Sequence, residues 1–129
     1  GVRELLLLLQ ESGLSMALAT SSQKEKVREA FTDAHINLEM FETVITGDDV
    51  EHPKPSPDIY LKVLTDLGRG PHECLVIEDS LHGIEAAKAA DIPCIAVHNT
   101  FSEEQLIEAG ADMVVQSLEL LSVRDLEMF

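Results

Sequence analysis

Three places in this 129-residue sequence set chemically useful side chains directly after an apolar run. Thr20-Ser21-Ser22 closes the run from Ser15 to Thr20. Hydroxyls and unpaired amides at the start of a helix can hold a phosphate, and the same residues also read as a plain helix cap. Lys54 stands immediately before Pro55, with Pro57 two residues further on. Prolines stiffen the backbone and help to aim the ammonium, which could neutralise charge on a transferring phosphoryl group; a solvated loop lysine is the alternative. Glu78-Asp79 follows the apolar run Cys74 to Ile77. Carboxylates avoid burial without a partner, so a pair at this position is unusual, and hard oxygen ligands suit magnesium. Asp79 could equally cap the next helix beside Ser80.

The elements that must position these groups follow from periodicity. Val2, Leu5, Leu6 and Leu9 predict an amphipathic helix over 2–12, stopped by Gly13. A buried strand over 15–20 leads to a helix that Ser22 and Glu25 open with capping-box spacing. Thr43 to Thr46 is the next strand, followed by the acidic loop Gly47-Asp48-Asp49. Ser56 as N-cap and Pro57 at the first helical position open a helix striped by Tyr60, Val63, Leu64 and Leu67, which Gly68 ends. Cys74 to Ile77 is a strand, and Ser80 caps the helix after it. Cys94 to Val97 is another strand, Ser102 and Gln105 open a helix ending at Gly110, and Met113 to Val115 closes the series. Short strands alternating with longer helices predict an α/β fold, with a parallel sheet covered on both faces. The chain, 1–129, reads as one domain.

Composition narrows the partners. The formal charge of −15 disfavours nucleic acid and anionic membranes. It also repels phosphorylated substrates, so a phosphate site needs local compensation. The five-leucine run Leu5 to Leu9 is too short to span a bilayer and lacks the flanks of a signal peptide, so a cytoplasmic location is expected. Cys74 and Cys94 read as buried small hydrophobes. The sequence contains neither G-x-x-x-x-G-K-[ST] nor G-x-G-x-x-G, which argues against a nucleotide-binding domain of those types. The pair Asp48-Asp49 follows a strand as in receiver domains, but that reading leaves the lysine and Glu-Asp-Ser segments unexplained.

Taken together and in order, the strand-end Thr20, the segment Lys54-Pro55-Ser56-Pro57-Asp58 and the run VIEDSLHGIEAAKAA resemble the haloacid dehalogenase-like superfamily. The similarity is greatest to its β-phosphoglucomutase-like and phosphoglycolate phosphatase-like branch. It extends from GVRELL through ALATSS to ADMVV. It implies a Rossmann-like three-layer α/β/α core and a phosphatase or phosphomutase acting on a small phosphorylated metabolite. It also implies roles: Thr20 as the hydroxyl bonded to the phosphoryl group, Ser21 as an adjacent amide donor, and Lys54 as the lysine bridging nucleophile and phosphoryl oxygens. Asp79 would be the acidic magnesium ligand and Glu78 its direct or outer partner. Gly83 matches a glycine that close packing would require, and His82 reads as a surface histidine.

The resemblance also implies what to look for and not find. The family begins with a strand followed by Asp-x-Asp, whose first aspartate attacks phosphorus and whose second serves as general acid and base. Residues 1–32 of this chain contain no aspartate. The expectation is a C-terminal part of such an enzyme, without the central first strand and the helical cap. Such a part would be inactive alone, with magnesium weakly bound or absent. The strand ending at Thr20 and the strand ending at Glu78 would then have to pair directly or accept another strand, which includes self-association across the gap.

Overall fold

The computed structural model describes residues 1–127. Helix α1 (Val2–Glu11) leads to β1 (Ala17–Ala19), α2 (Lys24–Asp33), β2 (Thr43–Ile45), α3 (Asp58–Leu67) and β3 (Val76–Glu78). After these come α4 (Leu81–Ala89), β4 (Cys94–Val97), α5 (Glu103–Glu108), β5 (Met113–Val115) and α6 (Val123–Glu127). The expected alternation is present: β4 and β5 have the expected bounds, β1 and β2 are shorter than the apolar runs that announce them, and β3 is shorter and extends to Glu78. Helix α3 ends where Gly68 takes φ +65°, a left-handed conformation that costs glycine nothing.

All strand pairs are parallel, but they form two ladders. One joins β1 to β2, with Leu18 opposite Val44. The other runs β3-β4-β5, with Ile77 opposite Ile95 and Ala96 opposite Val114. No ladder joins β1 to β3, so of the two expected outcomes direct pairing is not the one adopted.

Side-chain alternation nonetheless makes the two ladders halves of one layer. Ala17, Ala19, Ile45, Val76, Cys94 and Ala96 point into a core shared with α3, α4 and α5. Met16, Leu18, Val44, Ile77 and Ile95 point the other way, into a core with Leu5 and Leu9 of α1. Successive residues of a strand face opposite sides, and both ladders sort their residues onto the same two sides. The architecture is therefore helix layer, strand layer, helix layer, with an open seam between β1 and β3.

Two helix starts differ from the sequence reading. Ser22 does not cap α2; Gln23 occupies the N-cap position, and the Lys24 amide donates 3.0 Å to Asp48 Oδ2 from the loop after β2. A carboxylate from another loop has replaced the local hydroxyl. Helix α3 starts one residue late, with Pro57 as the N-cap residue, and the Asp58 amide lies 3.4 Å from Ser56 Oγ. Ser80 and Ser102 cap α4 and α5 as expected, accepting from Gly83 and Gln105. No helix of the described residues is long and apolar enough to cross a membrane.

Candidate active site

The three chemically suggestive segments meet at the carboxyl ends of β1 and β3. Ser22 N–H donates 3.1 Å to Thr20 Oγ1, a local turn that leaves the Thr20 hydroxyl proton free to donate elsewhere. The Ser21 backbone N–H has no acceptor among the described residues. Gly47 packs against this turn: its amide donates 2.9 Å to the Ser22 carbonyl, and a Cβ there would overlap the Ser21 carbonyl oxygen. Asp48 and Asp49 do structural work, Asp48 at the start of α2 and Asp49 accepting from the amide and hydroxyl of Thr46. The Lys24 amide at the start of α2 is thus already taken by Asp48, whereas the turn at Thr20-Ser21 stays open.

Lys54 links the two ladders. Its Nζ donates 2.9 Å to Glu78 Oε2 and lies 3.4 Å from the Ala19 carbonyl oxygen. One ammonium therefore spans the seam from the residue before Thr20 to the last residue of β3. Both side chains of the ion pair are largely buried, at 10% and 11% exposure. An ammonium has three protons, so one N–H remains for an anion.

Glu78 is engaged on every side. Oε2 accepts from Lys54 and, at 2.8 Å, from the Tyr60 hydroxyl. Oε1 accepts from Ser80 Oγ at 3.2 Å and lies near the amides of Asp79 and Ser80. Gly83 lies against the same carboxylate, and a Cβ there would overlap it; close packing of this glycine now has a named partner. Burial pushes the Glu78 carboxyl up, but the Lys54 charge and the hydrogen bonds from Lys54 and Tyr60 outweigh it and hold the group below the usual carboxylate range.

Asp79 differs from its neighbour. Its side chain is exposed and accepts no hydrogen bond among the described residues. It lines a cleft of about 410 Å³ with Ile77, Glu78, Val97, His98 and Asn99. The donor set fits magnesium only in part: Asp79 offers one hard, unengaged oxygen ligand. No group of three or more His, Cys, Asp or Glu side chains among the described residues could hold a metal ion, whereas magnesium needs six ligands in an octahedron. His82 is exposed on the first turn of α4. Cys74 and Cys94 are free thiols, and burial pushes Cys94 up to about 12, so it is an inert core residue.

Sequence reasoning places Thr20, Ser21, Glu78 and Asp79 at strand ends and Lys54 in a stiffened loop; the fold brings Lys54 to Ala19 and Glu78, while Asp79 opens into a cleft lined by none of Thr20, Ser21 and Lys54. Sequence reasoning missed Tyr60, which periodicity marks only as part of the apolar stripe of α3. Its one distinguishing signal is a phenol among aliphatic residues at positions that face the core.

A family model described as haloacid dehalogenase-like hydrolase matches residues 1–97. A phosphorylated carbohydrates phosphatase of Thermotoga maritima is 40% identical over 126 residues, covering 95% of this chain and 57% of the relative. The chloroplastic protein SUPPRESSOR OF QUENCHING 1 of Arabidopsis thaliana is 39% identical over 126 residues, covering 98% of this chain and 12% of the relative. A crystal structure from Thermotoga maritima, described as a candidate β-phosphoglucomutase, superposes with a TM-score of 0.85 at 38% identity, over 97% of this chain and 58% of that one. The chain thus spans about half the length, or less, of the relatives it matches.

Proposed function

The chain belongs to the haloacid dehalogenase-like hydrolase family, and on that premise we propose that it carries the phosphate-stabilising half of a phosphatase or phosphomutase site. The substrate is a small phosphorylated metabolite, and a sugar phosphate is favoured by the relative named as a phosphorylated carbohydrates phosphatase. The observation that carries this reading is the Lys54 ammonium, fixed between Ala19 and Glu78 beside the Thr20-Ser21 turn.

The chemistry needs an aspartate nucleophile, and residues 1–32 contain no aspartate. An aspartate delivered on a strand into the seam would attack phosphorus, forming an acyl phosphate as the bond to the metabolite oxygen breaks. That oxygen leaves with a proton from a second acid, and water then cleaves the acyl phosphate. Lys54, the Thr20 hydroxyl and the Ser21 amide would hold the transferring oxygens, where charge accumulates. Magnesium dependence belongs to this proposal: bound there, the ion would neutralise phosphoryl charge. Asp79 supplies one ligand, so the chain alone should bind magnesium weakly and turn over no substrate. A cytoplasmic location is part of the same reading, supported by two free thiols, as reducing compartments keep them.

The test is release of inorganic phosphate from a panel of sugar phosphates by the full-length polypeptide, with and without magnesium. Lys54→Ala and Asp79→Ala should each nearly abolish it. Wild-type rates in both variants would contradict the reading.

A second reading rests on the seam. The facing edges of β1 and β3 leave backbone groups unpaired between two apolar layers, and such an edge accepts a strand. A silent domain could use it for self-association. Sedimentation across a wide concentration range tests this: a dimer supports it, and a monomer throughout rejects it.

A further inference from the structure

Tyr60 is the only tyrosine of the chain, and the chemistry above makes no use of it. Its ring is 6% exposed, on the face of α3 that enters the core. Its hydroxyl donates 2.8 Å to Glu78 Oε2, the oxygen that also takes Lys54 Nζ at 2.9 Å. The same ammonium stands 5.2 Å from the centroid of the Tyr60 ring. Tyrosine, lysine and glutamate thus form a closed triangle of contacts under the seam.

A carboxylate oxygen has two lone-pair directions. The phenol occupies one on Oε2 and the ammonium the other. Ser80 holds Oε1, and Gly83 closes the remaining side. We propose that Tyr60 is a positioning residue whose hydroxyl pins Glu78 Oε2, so that Lys54 is held across the seam at the end of β1. Without the hydroxyl, Oε2 keeps one donor. The terminal torsion of a glutamate is broad, so the carboxylate can turn and carry the ammonium away from Ala19. The consequence for catalysis rests on the phosphoryl-transfer reading; the geometry does not.

The experiment compares the wild-type full-length polypeptide with Tyr60→Phe, which keeps the ring and its burial. A brief pulse of acetic anhydride followed by mass spectrometry reads the accessibility of Lys54 against Lys24, Lys26, Lys62 and Lys88. Labelling of Lys54 alone should rise about tenfold, the factor equivalent to losing about 1.4 kcal/mol of charge-assisted hydrogen bonding. For sugar phosphate hydrolysis, kcat should fall about tenfold with KM within about twofold. Unchanged labelling in a folded Tyr60→Phe overturns the proposal, whatever the kinetics. Raised labelling with no phosphate release from either protein supports the positioning role and sinks the phosphoryl-transfer reading instead. Should Tyr60→Phe fail to fold, NMR of the wild type gives the answer: a slowly exchanging Tyr60 hydroxyl proton close to Glu78 supports the proposal, and its absence overturns it.

Discussion

Gly83 meets the carboxylate of Glu78 with no side chain between them, and a Cβ on Gly83 would overlap Cδ and Oε2 of Glu78. Alanine in a helix interior ordinarily gains about 1 kcal/mol over glycine. Here the carboxylate would have to move, and its hydrogen bonds to Lys54, Tyr60 and Ser80 would have to break. Gly83→Ala should therefore lose about 1–3 kcal/mol overall, as overpacked sites do. Urea denaturation measures this, and a midpoint above the wild type would contradict the contact.

Lys54 and Glu78 form a largely buried pair, so removing one partner strands the other. Lys54→Met should cost about 3–5 kcal/mol, and Lys54→Met with Glu78→Gln should recover most of it. Equal stability of the single and double variants, read from denaturant midpoints, would show that the pair is not closed in solution.

Acid should undo the same contact. Glu78 is held below the usual carboxylate range, burial being outweighed by Lys54 and Tyr60. The Thr46 amide and then its hydroxyl hold Asp49 low. In Asp112 burial is outweighed by the Cys94 amide and by Lys88. For each group the unfolded chain takes up its proton at higher pH than the folded chain does. Their contribution is thus complete above the ordinary carboxylate values and is lost as pH falls through the folded ones. Stability should be nearly flat from about pH 7 to about pH 5, then drop below about pH 4. Lys54→Met should flatten that drop, and an unchanged slope would speak against the pair as its source.

Thr20 carries less structural weight than chemical weight in this account. Thr20→Val keeps the shape and removes the hydroxyl that accepts from Ser22. Phosphate release by the full-length polypeptide should fall about 10²-fold, while stability changes by about 1 kcal/mol. Full activity would remove Thr20 from the site.

The legible part of this molecule was the part written in local chemistry. The strands ending at Thr20 and Glu78 announce themselves by apolar runs that stop at polar groups, and the Ser80 cap by a hydroxyl ahead of an apolar face. The segment Lys54-Pro55-Ser56-Pro57 marks a stiff loop. What stayed hidden depends on residues distant in sequence. Asp48 caps α2 from 24 residues away, so the local Ser22 signal misleads. Tyr60 looks like core until Glu78, 18 residues on, is found against its hydroxyl. Adjacent carboxylates look equivalent in sequence, yet Glu78 is enclosed and Asp79 open, because one closes β3 and the other lies just past it.

On the proposed reading, Thr20, Ser21, Lys54 and Asp79 serve one phosphate. Titrating isotope-labelled protein with inorganic phosphate and magnesium, followed by NMR, tests it most directly. Signals of these four residues should move together along one binding curve, with those of distant Asp112 and Lys88 unmoved. Shifts scattered over the surface, or separate curves for Lys54 and Asp79, would contradict it.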